Sequence, residues 1–95
     1  MHVISKSAWR QVVVANRSLG AAIAEWRKIA SAASWRSLVD VRKVYPSADL
    51  VGPYTVFNIK GNAYRLIVKI EYRWQMIFVE HLLTHAEYER KEWTK

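Results

Sequence analysis

Residues 54–67 read Tyr54-Thr-Val-Phe-Asn-Ile-Lys-Gly-Asn-Ala-Tyr-Arg-Leu-Ile67, and residues 84–88 read Thr84-His-Ala-Glu-Tyr88. In the first stretch Phe57 and Ile59 fall on one side of an extended chain. Tyr54, Val56, Asn58 and Lys60 fall on the other, with the period of two that marks a strand. Gly61 and Asn62 both tolerate positive φ, so Lys60-Gly61-Asn62 predicts a tight hairpin turn. On the return, Tyr64, Leu66, Val68 and Ile70 share one face, while Arg65, Ile67, Lys69 and Glu71 share the other. Tyr72-Arg73-Trp74-Gln75 turns the chain again, and Met76–Leu83 reads as the third strand of a meander. Thr84 with Glu87 three residues on forms a capping box that opens a short C-terminal helix. Lys91 and Lys95 sit towards its end, where cations suit the helix dipole.

Working back from the hairpin, Val51-Gly52-Pro53 leads into the sheet and Ser47-Ala48-Asp49 reads as a turn. Ser34 is placed to cap a short helix carrying Trp35, Leu38, Val39 and Val41, with Arg36, Arg42 and Lys43 outward. That helix ends at Val44-Tyr45-Pro46, because the residue before proline avoids the helical region. Upstream, Ala22, Ile23, Trp26, Ile29, Ala30 and Ala33 recur three and four apart, the spacing of a buried helical stripe. Trp26 reads as core. A further amphipathic helix is expected over residues 6–19, with Ala8, Val12, Ala15 and Leu19 inward and Lys6, Arg10 and Arg17 outward. Asn16-Arg17-Ser18 and Gly20 predict a bend between the two helices. His2-Val3-Ile4 is a candidate strand. The expected fold is α+β: two or three N-terminal helices on one face of a small, mostly antiparallel sheet, with a short C-terminal helix and an open, basic second face.

Ninety-five residues allow one domain with a modest core, and residues 1–95 are read as that single unit. Five tryptophans and five tyrosines help such a small chain bury enough apolar surface. The absence of cysteine excludes disulfides and thiolate metal sites and suits a reducing cytosol. No apolar run approaches a membrane span and no signal peptide is visible, so the expected compartment is the cytoplasm. The net charge of +7 points to a polyanionic partner, nucleic acid first.

The sequence lacks a phosphate-binding glycine loop, a His-Glu-x-x-His zinc motif and a cysteine nucleophile. His81 and His85 lie four apart without matched carboxylates, so neither a metal nor a cofactor is expected. One chemistry needs neither. RNA cuts itself when its 2′-hydroxyl attacks the adjacent phosphate. A protein accelerates this by taking the hydroxyl proton, stabilising the crowded phosphorane and protonating the leaving 5′-oxygen. Arg65, Lys60 and Lys69 supply cations, and arginine's fork suits phosphate oxygens. His85 and Tyr88 supply proton-transfer groups. Each also has a structural reading: Arg65 paired with Glu71 or Glu80, His85 as a buried hydrogen-bonding residue, Tyr88 as core, Asn58 and Asn62 as strand-end and turn residues.

The segments Phe57-Asn-Ile-Lys-Gly-Asn-Ala-Tyr-Arg-Leu-Ile67 and Thr84-His-Ala-Glu-Tyr88 resemble the HigB branch of the RelE-like toxins. The Met1-His-Val-Ile-Ser start, Tyr45-Pro-Ser-Ala-Asp-Leu-Val-Gly52 and Ile70-Glu-Tyr72 fit the same pattern. The resemblance implies a RelE-like fold and a type II toxin that cuts mRNA on the ribosome without metal. It also implies a HigA-like helix-turn-helix antitoxin that silences the toxin, the pair reaching operator DNA only as a complex. Residue by residue it implies site positions at Asn58, Lys60, Gly61, Asn62, Arg65, His85 and Tyr88, with Gly61 structural. Relatives often carry aspartate after the tyrosine, where this chain has Glu89. On this reading Arg65 and Lys60 hold the scissile phosphate, His85 or Tyr88 moves protons, and Lys69 adds field. Asn58, Asn62 and Arg73 would contact RNA nearby; Lys6, Arg10, Arg17, Arg36 and Arg42 would contact ribosomal RNA backbone. Two alternatives stay open: a non-catalytic RNA- or protein-binding module, and a ParE-like gyrase inhibitor of the same broad fold.

Overall fold

The computed structural model describes residues 1–5, 17–91 and 93. Five strands form one sheet in the order β1-β5-β4-β3-β2. They are β1 (His2–Ser5), β2 (Asp49–Val51), β3 (Tyr54–Ile59), β4 (Tyr64–Glu71) and β5 (Met76–Thr84). The described helices are α1 (Arg17–Ala32), α2 (Leu38–Val44) and α3 (His85–Arg90). The three-strand meander stands as read from the hairpin stretch, with Phe57 opposite Leu66 and Asn58 opposite Arg65. β1 joins it parallel to β5, with Val3 beside Ile77. This is a mixed α+β fold with a mostly antiparallel sheet.

The alternation along β3 and β4 divides the sheet into two faces. One carries the main core, where Leu19, Ile23, Trp26 and Ala30 of α1 and Val41 of α2 meet Phe57, Ile59, Leu66 and Val68. Phe57 lies at its centre. Its ring is edge-on to Trp26 at 5.5 Å and to Tyr45 at 5.2 Å, and stacks with Trp35 at 6.3 Å. Aromatic pairs in these arrangements add to the stabilisation from buried area alone.

Several sequence expectations shift. The helix expected to break around Asn16–Gly20 runs unbroken from Arg17 to Ala32, with Gly20 inside it. A glycine there costs about 1 kcal/mol relative to alanine. The buried stripe that starts at Leu19 continues through it and outweighs that cost. The rest of the expected first helix, residues 6–16, lies outside the described residues. Past the other end of α1, the Met1 ammonium donates to the carbonyls of Ala30, Ser31 and Ala33, where the helix ladder runs out. α2 begins at Leu38 and not after Ser34, and its N-cap Ser37 makes no side-chain cap bond. The Asp40 carboxylate instead accepts from the Arg36 backbone N–H at 2.9 Å. That bond, first among its causes, holds the Asp40 pKa below the ordinary aspartate value. Asp49, read as part of a turn, starts a fifth strand that pairs antiparallel with β3, Leu50 opposite Thr55.

The second face is not bare. Val56 and Ile67 pack with Trp93, and Val51, Tyr54, Leu83 and Tyr88 join them. α3 is set over this face by the capping box. Thr84 Oγ1 accepts from the Glu87 backbone N–H at 3.2 Å, and the Glu87 carboxylate accepts from the Thr84 backbone N–H at 3.0 Å. Thr84→Ala is expected to cost about 1 kcal/mol and to lower Tm by about 4–8 °C in a chain of this size, which calorimetry would read. Bonds from the Thr84 backbone and hydroxyl hold the Glu87 pKa below the ordinary glutamate value. Its contribution is therefore present above that ordinary value and is lost as pH falls through the folded one. Among the described residues no helix is long and apolar enough to cross a membrane.

Candidate functional site

The β3–β4 turn and the start of α3 meet at one end of the sheet. Tyr64 pairs with Thr84 across β4 and β5, and the His85 backbone N–H donates to the Ala63 carbonyl at 3.0 Å. This geometry gathers Lys60, Asn62, Arg65, His85 and Tyr88 around the turn. Lys60 and Gly61 hold the positive φ angles, +54° and +65°, and Asn62 does not. The turn thus strains a lysine, a residue that rarely adopts this region. The Lys60 ammonium reaches back to the Ser18 hydroxyl at the start of α1.

Asn62 acts as the hydrogen-bonding turn residue of its structural reading. Its side-chain oxygen accepts from Arg65 Nη2 at 2.7 Å, and its carbonyl accepts from Nη1 at 3.2 Å. The Tyr64 carbonyl accepts from Nη1 as well, at 3.2 Å. Arg65 is only 8% exposed, so these contacts satisfy a buried cation through the turn. The sequence left open a pairing with Glu71 or Glu80. Glu71 meets Lys69 instead, at 3.8 Å, and the named bonds of Arg65 all go to Asn62 and Tyr64.

The Arg65 guanidinium carbon lies 5.6 Å from the centre of the Tyr88 ring, within cation–π range. Trp93 stacks on Tyr88 at 5.3 Å and 18°, and its indole N–H donates to the Tyr88 carbonyl at 3.1 Å. Tyr88 therefore touches a guanidinium and an indole. Burial raises the pKa of its hydroxyl, Asp49 and Glu89 raise it further, and Arg65 opposes them. The hydroxyl keeps its proton at neutral pH and can donate it. His85, one turn earlier on α3, is exposed, and its Nε2 lies 3.5 Å from a Glu89 carboxylate oxygen.

Of the other sequence candidates, Asn58 is opposite Arg65 in the β3–β4 ladder, and the rest lie apart from this group. Asn58 is half-buried beside α1, in a cavity shared with Trp26 and Lys60. Lys69 is four residues along β4 from Arg65, about 13 Å at the rise of a strand. Arg73 folds over the Trp74 ring at 5.1 Å, beyond the far end of β4. Arg42 donates to the Ala48 carbonyl at 2.9 Å and lies 3.8 Å from Asp49. Arg17 and Arg36 are exposed at the start of α1 and ahead of α2, and Lys6 and Arg10 lie outside the described residues. Trp93, which completes the Tyr88 stack, was not singled out. Its only sequence signal is a tryptophan five residues after that tyrosine.

The model of the HigB toxin family, the RelE-like toxic component of a toxin–antitoxin system, matches residues 20–91. The chain belongs to that family. The sheet, the helices packed on its main-core face and the short C-terminal helix agree with the RelE-like fold. Membership makes this HigB-family chain the toxin half of a pair, with an antitoxin as its partner. Comparison with curated proteins finds no match.

Proposed function

We propose that this HigB-family chain is a ribosome-dependent mRNA endonuclease that arrests translation in the cytoplasm, folding over residues 1–95 as one domain. The observation that carries the reading is the contact of Arg65 with Tyr88, next to the turn that contains Lys60 and Asn62 and the α3 start that contains His85. Those residues supply the groups that 2′-hydroxyl attack on the adjacent phosphate requires. Lys60 and His85 are exposed and meet the phosphate and the 2′-hydroxyl directly. Tyr88 protonates the leaving 5′-oxygen, its hydroxyl holding the proton at neutral pH because burial raises its pKa. Arg65 places the Tyr88 ring and sets positive charge behind the developing dianion. Lys69, Arg73 and the cations Lys6, Arg10, Arg17, Arg36 and Arg42 contact RNA backbone. Such contacts give affinity with a steep salt dependence and little sequence choice. The antitoxin is HigA-like, with a helix-turn-helix that carries the complex to operator DNA.

Primer extension on a defined mRNA in a purified translation system tests this reading. Cuts should align to codons, appear only when ribosomes are present and disappear with Arg65→Ala. Growth arrest with intact mRNA would count against it and favour a gyrase-directed toxin.

A further inference from the structure

A second feature sits behind the turn, on the α1 side. Ala22, Glu25, Trp26, Ile29, Tyr45, Asn58, Ile59 and Lys60 line an open cavity of about 200 Å³. That is smaller than a drug-sized pocket and suits one planar ring system. The Trp26 side chain is 2% exposed, yet among the described residues its indole N–H has no hydrogen-bond partner. The ring that carries it forms part of the cavity wall, so the indole resonance senses a ligand that enters beside it.

The rest of the lining supplies both donors and acceptors. Burial and the Glu25 carboxylate both raise the pKa of Tyr45, so its hydroxyl keeps its proton. Lys60 brings an ammonium to the wall, and the Asn58 stretch of β3 lines it as well. The carboxylate of Glu25, on an exposed side chain, accepts only. Ala22, Ile29 and Ile59 offer apolar contact to the face of a ring.

We infer that this cavity receives one guanine base from an RNA strand passing the Lys60–Asn62 turn. Guanine carries two adjacent donors, N1–H and the 2-amino group, which match the two oxygens of a carboxylate. It also carries the acceptors O6 and N7, which match the Lys60 ammonium. Adenine would turn the bare N1 lone pair towards Glu25. Cytosine and uracil lack the paired donors. Proteins select single-stranded RNA bases in this way, with aromatic and apolar contact to the ring and hydrogen bonds to its edge. The inference rests on the endonuclease reading for the source of the base, and adds to it a means of choosing where to cut.

The test uses the full chain with ¹⁵N-labelled indoles, the Trp26 resonance being assigned by its loss in Trp26→Phe. Guanosine 3′-monophosphate should shift that resonance and saturate. Adenosine 3′-monophosphate should need at least about tenfold more, and Glu25→Gln should level the two. No shift with any nucleotide, or equal shifts with all four, overturns the inference. So does a flat titration in which Glu25→Gln weakens antitoxin binding, because the cavity would then hold an antitoxin side chain. The cleavage map separates this inference from the endonuclease reading. Wild-type cuts without a guanine bias remove the guanine site and leave the endonuclease. Selective guanosine binding without any cuts removes the endonuclease and leaves the site.

Discussion

Tyr88→Phe is expected to slow RNA cleavage on the ribosome by about 10²-fold or more, the usual loss when a positioned proton donor is removed. The ring stays, so its contact with the Arg65 guanidinium at 5.6 Å and its stack on Trp93 at 5.3 Å should survive. Tm should therefore move little. Only the hydroxyl is lost, which ties the effect to proton transfer and not to packing. The pH profile gives the same residue a second readout. Burial first, then Asp49, raises the Tyr88 pKa above the ordinary tyrosine value. A general acid with a raised pKa stays loaded until pH passes that value, so Tyr88 should produce no basic limb below about pH 10. The linked stability has the same sign: it is present below the ordinary tyrosine pKa and is lost as pH rises through the folded one. A single-turnover rate within a few-fold of wild type for Tyr88→Phe would remove Tyr88 as the acid.

The second large effect belongs to the core. Phe57→Ala should cost about 3–5 kcal/mol, against a total stability of about 5–14 kcal/mol for a chain of this length. Phe57 is fully buried and contacts Trp26, Trp35 and Tyr45, aromatic side chains from α1, from the segment before α2 and from the turn after it. Its removal leaves a cavity where helices and sheet meet, and rigid rings close such a space poorly. The drop in Tm should reach at least about 15 °C, measured by circular dichroism or calorimetry. Phe57→Leu should recover much of it, since a hydrophobic residue of nearer volume is better tolerated.

How much of this was legible in the sequence depended on how local each cause was. Strand alternation fixes which face a residue joins, so Phe57, Leu66 and Val68 were placed correctly on the main core. The capping box needs only Thr84 and Glu87, three residues apart, and it forms as read. Features set by distant partners were not visible. Asp49-Leu50-Val51 carries turn-like neighbours and becomes a strand because β3 offers it an edge. Gly20 carries a helix-breaking tendency that burial of Leu19 and Ile23 overrides. Positive φ was expected at Gly61 and Asn62 but falls on Lys60 and Gly61, because Asn62 is held by Arg65. The second face was expected to be open and basic. Trp93 instead packs on Val56 and Ile67 there, a contact between residues far apart in the chain.

The candidate site follows the same rule. His85 and Tyr88 share a short helix, and Lys60, Asn62 and Arg65 share one hairpin, so each group was readable as a local pattern. The pairing of Tyr64 with Thr84 that joins the two groups was not. Nor was the division of labour within the hairpin. Arg65 turns inward to the backbone while Lys60 remains at the surface, and only the packing of Tyr88 and Trp93 against that face decides it.

The most direct test of the central claim is an mRNA carrying a single 2′-deoxynucleotide at a mapped cut site, programmed into ribosomes with the wild-type protein. In-line attack by the 2′-hydroxyl predicts that cutting stops at the substituted position and continues at unsubstituted sites, leaving 2′,3′-cyclic phosphate ends. Unchanged cutting at the deoxy position would contradict the account, because the attacking group would then come from elsewhere.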